Sequence, residues 1–266
     1  MKRIAWATDI HLNFVGQEQI TEFCLSIQRE EPDGLLLTGD IGEAHDIHRH
    51  LKLISELVPV PVYFVLGNHD YYGSSIAEMR ERITRLSQGV PSLTWLPLVG
   101  VVPLSENSCL IGHDGWADGR FGDYAHSQIM LNDYRMIIEL RGHSRKELLK
   151  RLHALGDDAA SHFRAVLPLA LASFENILIG THVPPFLEAC WHEGNISNDE
   201  YLPHFACKAV GKVLVSIMRK HPKHRITVLC GHTHSSGEVQ ILPNLPVKTG
   251  AAVYARPALT EIIEVP

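Results

Sequence analysis

Five groups of oxygen- and nitrogen-bearing side chains recur along the chain: Asp9 and His11; Asp40; Asn68, His69 and Asp70; His182; His232 and His234. Each follows an apolar run, in order IAWAT, GLLLTG, VYFVLG, NILIGT and TVLCG. Short β-branched and leucine-rich runs bounded by Gly and Pro read as buried strands. In open α/β sheets the ligand site lies beyond the carboxyl ends of the strands. Five strand ends would deliver aspartates, an asparagine and several histidines to one crevice. Donors of this kind suit Mn, Fe, Zn or Ni rather than a thiolate-loving metal.

Between these runs, apolar residues repeat at helical spacing. Ile20, Phe23, Cys24 and Ile27 precede Pro32; Ile47, Leu51, Ile54 and Val58 precede Pro59; Met79, Ile83 and Leu86 follow a capping-box pair, Ser75 and Glu78. Alternating strand and helix predicts a largely parallel sheet. Residues 93–112 read as short strands and turns, and residues 113–135 as a long polar loop with four aromatic rings. A connection of that length is functional or disordered in most domains, and its rings argue against disorder. Ser144 and Glu147 open another capping box; the apolar positions after it predict a helical pair interrupted near Gly156. Residues 113–172 are therefore a candidate helical cap. A polar loop over 184–203, a helix over about 204–220 and strands over about 239–242, 247–254 and 259–264 complete the chain. No repeat or linker is visible, so residues 1–266 read as one domain.

The 45% apolar and 20% charged composition is that of a globular protein, and the net charge of −6 lacks the basic footprint of a nucleic-acid binder. The five cysteines are scattered with no CxxC pair, which argues against a disulfide framework and for a reducing, cytoplasmic setting. Lys2 and Arg3 precede an apolar run, but it stops at Asp9, too short for a signal peptide. No stretch approaches the roughly 20 apolar residues of a membrane helix.

In order and spacing, D9-x-H11, G39-D40, G67-N68-H69-D70, H182 and G231-H232-T233-H234 resemble the calcineurin-like metallophosphoesterase superfamily over residues 9–234. The resemblance implies an α/β fold of four layers, α/β/β/α, with two packed mixed sheets flanked by helices. It implies a dinuclear centre of divalent or trivalent ions (Mn, Fe, Zn or Ni) about 3.5–4 Å apart. Asp9, His11 and His234 would hold one ion, and Asn68, His182 and His232 the other. Asp40 would bridge them, since a carboxylate has two oxygens. A metal-bridging hydroxide would attack a small-molecule phosphate ester, monoester or diester. His69 would protonate the leaving oxygen, with Asp70 orienting that ring and raising its pKa. Glycines before Asp40, Asn68 and His232 would let the chain turn sharply and approach the metals. Many relatives carry Asp or Asn about three residues after the bridging aspartate; Glu43 stands there in this chain.

Arg120 and His192 are candidate phosphate ligands. Trp116, Phe121, Tyr124 and Trp191 either stack on substrate or fill the core. His45, His48 and His50 have metal-like spacing but read as a solvated helix face. Two other functions fit the same segments: a nuclease, which the acidic charge disfavours, and a non-catalytic metal-binding scaffold, which the intact ligand set disfavours. Oligomeric state is not encoded in any visible motif.

Overall fold

The computed structural model describes residues 1–266, and two mixed sheets stacked face to face form its centre. In the first sheet, β1 (Lys2–Ala7), β2 (Gly34–Thr38), β3 (Val62–Val65) and β4 (Leu93–Trp95) run parallel. The last strand, β13 (Glu261–Val265), pairs antiparallel with β1. The second sheet is built from β5 (Val102–Pro103), β6 (Ser108–His113), β7 (Asn176–Thr181), β10 (Arg225–Cys230), β11 (Gly237–Leu242) and β12 (Leu245–Thr249). Its order is β11-β12-β10-β7-β6-β5, antiparallel at both edges. A small hairpin, β8 (Trp191–His192) and β9 (Asn195–Ile196), lies apart.

Strand alternation sorts the residues into four layers. Ile4, Trp6, Leu36 and Val65 of the first sheet meet Leu110, Leu178 and Leu229 of the second in an inter-sheet core. Their neighbours Ala5, Ala7, Leu35, Leu37 and Phe64 face α1 (Gln17–Arg29), α2 (Ile47–Leu57) and α3 (Ile76–Gly89). Burial on both faces is why GLLLT is continuously apolar rather than alternating. The short α4 (Leu96–Val99) follows β4, and α5 (Asp133–Met136) ends the long loop after β6. On the far side Ile177, Ile179, Ile226 and Val228 pack with α6 (Arg145–Leu171) and α8 (Lys208–Met218). The helix expected over 204–220 is split: α7 (Leu202–Phe205) ends two residues before α8.

Several expectations are corrected. Ser75 and Ser144 each accept the backbone N–H three residues on, at 3.1 and 3.3 Å. The reciprocal half of each box is absent, because Glu78 accepts from Ser74 Oγ (3.4 Å) and Glu147 from Lys150 Nζ (2.9 Å). The helical pair is one uninterrupted helix, α6. Gly156 does not break it; a Cβ there would lie 2.5 Å from Asp118 Cβ, so glycine lets the loop after β6 press against the helix. This helix packs on β6 and α8 as the outer layer of the second sheet. The strand expected over 247–254 ends at Thr249, where the chain turns to cross between the sheets. His50 is buried within 3.3 Å of Asp46, so the face carrying His45, His48 and His50 is only partly solvated. All five cysteines are buried and free. No helix is long and apolar enough to cross a membrane.

Candidate metal centre

The carboxyl ends of β1, β2 and β3 and of β7 and β10 meet along one edge of the sandwich. The loops that leave them are tied to one another: Asp9 N–H donates to Gly39 O (3.0 Å), His11 N–H to Asp40 O (2.9 Å) and Gly231 N–H to His182 O (2.9 Å). Asp9, His11, Asp40, His232 and His234 all have positive φ, between 41° and 72°. Each such non-glycine residue costs roughly 1–3 kcal/mol, and this strain is concentrated where the surrounding bonds over-determine the backbone.

The donor atoms fall into two groups that share Asp40. In the first, Asp9, His11, Asp40 and His234 bring one ligand atom each within 4.8 Å of one another. His11 Nε2 is 3.2 Å from His234 Nε2 and 3.7 Å from Asp40 Oδ2; His234 Nε2 is 3.3 Å from Asp9 Oδ1. In the second, Asn68 Oδ1 lies 3.0 Å from both His182 Nε2 and His232 Nδ1, and Asp40 Oδ1 lies 3.5 Å from His182 Nε2.

The second group tests whether a cation fits. His182 donates Nδ1–H to Thr38 O (2.9 Å), and His232 donates Nε2–H to His204 O (2.9 Å). In a neutral ring the other nitrogen then carries its lone pair. Asn68 Nδ2 donates to Asp133 Oδ1 (2.9 Å), which turns Oδ1 inward. Three acceptors therefore converge with no proton between them, an arrangement that a cation relieves. The second hydrogen bond on each ligand is the kind that fixes tautomer and orientation at metal sites. In the first group, His11 Nδ1 is buried without a partner.

Electrostatics agree. Burial, then the neighbouring Asp9 charge, raises Asp40 well above the ordinary carboxylate range. Burial also pushes Asp9 up, but the His234 hydrogen bond and the charges of His182, His234 and His11 outweigh it and hold Asp9 low. Burial depresses His11 and His232 to about 3, and burial then His182 depresses His69 to about 4. His234 is raised, because its bond to Asp9 overcomes burial. Crowded carboxylates, with His11, His69 and His232 disfavoured as cations by burial, form a site short of positive charge.

Of the three glycines before ligands, only Gly39 has positive φ (94°). Gly67 and Gly231 serve close approach instead: a Cβ on Gly67 would overlap Asp40 Oδ1, and one on Gly231 would overlap Asp9 Oδ2 and Thr8 Oγ1.

His69 lies beside the first group, its Nε2 4.0 Å from Asp40 Oδ2 and its ring stacked on Tyr72 at 4.3 Å. Asp70 does not orient it. The Asp70 carboxylate accepts the N–H groups of Ile41, Gly42 and Gly67 at 2.8–2.9 Å, clasping the Asp40 loop to the Asn68 loop, while His69 Nδ1 has no partner. The expected upward shift of His69 is thus reversed.

The substrate candidates divide. Arg120 is paired with Asp118 (2.9 Å) and Asp157 (2.8 Å), tying the loop to α6, and contacts no metal-site residue. Trp116 is buried edge-on to Tyr71, and Tyr124 is also buried, so both are core. Phe121 packs beneath Lys208. Trp191 is half-buried, its indole against Gly237. His192 alone sits at the edge of the centre, with Nδ1 3.5 Å from Thr233 O and its ring 5.3 Å from Phe205, which in turn packs on His232. Glu43 accepts from Asn13 (3.4 Å) rather than from any ligand.

Four residues of the site belong to no motif in the sequence. Asp133 and Tyr72 hold Asn68: Tyr72 OH donates to Asp133 Oδ1 at 2.6 Å. Tyr254 and Phe14 border His11. Asp133 and Phe14 lie in loops, or next to them, with no local pattern. Tyr254 was hidden in an apparent strand.

The fold is shared with solved structures of low sequence identity. A phosphopantetheinyl hydrolase from Mycobacterium tuberculosis superposes with TM-score 0.69 at 13% identity, over 95% of this chain and 90% of that one. A dimetal phosphatase from Danio rerio gives 0.59 at 16%, over 96% and 88%. A protein from Thermus thermophilus gives 0.55 at 13%, over 94% and 89%. No curated protein matches the chain significantly. The sequence profile described as calcineurin-like phosphoesterase matches residues 2–236, which span all seven proposed ligands, and the chain belongs to that family.

Proposed function

We propose that this chain is a dinuclear metal-dependent hydrolase of phosphate esters. The observation that carries the reading is the sharing of Asp40, whose Oδ2 faces His11 and Oδ1 faces His182, between two groups of converging lone pairs. Asp9, His11 and His234 would hold one ion, Asn68, His182 and His232 the other, and Asp40 both. Two cations there would supply Lewis-acid charge to the phosphoryl oxygens and to the attacking water.

The protein's own groups do the rest. Thr38 O and His204 O fix the two imidazoles, and Asp133 fixes Asn68, so the donors need not reorganise on binding. Tyr72 holds the plane of His69. His69 moves the proton to the leaving oxygen. A phosphoryl dianion in the same poorly solvated site would favour the protonated form of this ring. The five buried free thiols support a reducing, cytoplasmic setting.

The test is a panel of phosphate monoesters and diesters assayed on metal-stripped protein reloaded with Mn, Fe, Zn or Ni. Hydrolysis restored by metal supports the reading; undiminished hydrolysis by stripped protein, or none with any metal, defeats it. Bound metal should also raise the melting temperature, because it favours the native state by mass action.

A further inference from the structure

The mouth of the centre, beside its first group of ligands, is aromatic. Residues 250–260 lead from β12 of the second sheet to β13 of the first, crossing the sandwich at the edge that carries the ligands. Backbone bonds fix this crossing: Gly250 N–H to Cys230 O (2.8 Å), Ala252 N–H to His234 O (3.2 Å) and Thr260 N–H to Trp6 O (2.8 Å). Tyr254 leans from it onto the centre, its ring 4.6 Å from His11, 4.9 Å from His234 and 6.3 Å from His69. Phe14, in the turn Leu12–Phe14 directly after His11, meets Tyr254 edge-on at 5.2 Å and 79°.

Both rings are half in water, Phe14 50% and Tyr254 48% exposed. Scattered exposed apolar residues are ordinary. Two contiguous rings at the rim of a polar centre are an open apolar corner with a free face. Because Tyr254 borders His11, His234 and His69, a phosphate ester seated at Asp40 with its leaving oxygen toward His69 would have this corner within reach of its organic substituent.

We propose that Phe14 and Tyr254 form the subsite for the organic part of the phosphate ester and select a planar aromatic or heteroaromatic substituent. This rests on the reading that the centre binds phosphate esters. A planar group can lie against one ring and edge-on to the other, a preference beyond area burial; a small alkyl group gains neither contact.

Phenylphosphonate and methylphosphonate separate this from the hydrolytic reading, because neither is turned over. Calorimetry on the metal-loaded full chain should give phenylphosphonate a Kd about 5–10-fold lower than methylphosphonate, the scale of one aromatic contact. Phe14→Ala and Tyr254→Ala should each bring that ratio toward one, with metal content and melting temperature retained. Tyr254→Phe should keep the ratio, since the ring and not the hydroxyl selects. Equal affinities in the unsubstituted protein, or a ratio surviving both alanine substitutions, overturns the subsite while leaving phosphate-ester hydrolysis intact. A preserved ratio with no turnover of any ester upholds the subsite and overturns the hydrolytic reading. Failure of both phosphonates to bind overturns both.

Discussion

Asn68 and Asp133 are 65 positions apart and meet through one buried hydrogen bond, Asn68 Nδ2 to Asp133 Oδ1 at 2.9 Å. That bond decides which end of the amide faces His182 and His232. Asp133→Ala is therefore expected to weaken metal binding by about 10–100-fold, the usual cost of losing such a support. Excess metal should restore turnover. Metal titration of the variant checks this; unchanged affinity would show that Asn68 is held by other means.

Asp40 and Asp9 are expected to differ when replaced. Asp40→Ala removes the group shared by both sets of donors and leaves two dications less shielded from each other. Asp9→Ala weakens mainly the first set. Elemental analysis after dialysis should find neither metal firmly held in Asp40→Ala and one held in Asp9→Ala. Two metals retained in Asp40→Ala would reject the bridge.

Gly67→Ala should impair the centre without replacing a proposed ligand. The added Cβ would overlap the Asp40 carboxylate oxygen that faces His182. Gly89→Ala is the control, because a Cβ there meets nothing within 4 Å and the backbone is helical. Loss of metal and activity in the first variant, and stability equal to or above that of the unsubstituted protein in the second, is the expected pair of results. A fully metallated, active Gly67→Ala protein would contradict the close packing described above.

His69→Ala separates chemistry from metal binding, because this ring neighbours the ligands without joining either group. Both metals should remain, and hydrolysis of esters with poor leaving groups should slow by about 10²–10⁴-fold. Nitrophenyl esters should slow less, since nitrophenolate needs little protonation. Equal slowing of both substrate types would mean that His69 binds phosphate rather than transfers a proton.

Acid should destabilise the fold through His113. Burial, outweighing the nearby Asp114, lowers this residue to about 4, with the His162 ring 5.0 Å away, Arg80 nearby and Asp158 at 3.8 Å. Above its ordinary value of 6.5 the ring is neutral in both states. Between 6.5 and 4 only the unfolded chain binds the proton, so stability falls as pH falls through that window. The loss is on the order of 3 kcal/mol. Urea unfolding at about pH 7.5 and about pH 4.5, on either side of most of that window, should show a smaller difference in His113→Gln than in the unsubstituted protein. An identical pH dependence would assign acid lability to other buried groups.

The strands were legible in the sequence because burial obeys a local rule, while the seven proposed ligands were singled out by resemblance from the polar residues at the strand ends. Doubly buried strands must be apolar throughout, and each ligand follows such a run directly. The four layers came by resemblance, and the structure bears them out through alternation: Trp6 faces the other sheet while Ala5 and Ala7 face helices. What tertiary structure alone decided are relations between distant segments. Asp133 meets Asn68 across a loop whose path no periodicity fixes, and Asp70, beside His69 in sequence, turns away to clasp three backbone N–H groups. Arg120 finds Asp118 and Asp157 before it can find a phosphate. Tyr254 sits in a β-like stretch, VKTGAAVY, but the chain has to pass from one sheet to the other there, and that crossing sets the ring against His11. Spacing along the chain names the groups that one strand end presents. Which groups from different loops share a hydrogen bond or a face depends on how the two sheets are joined.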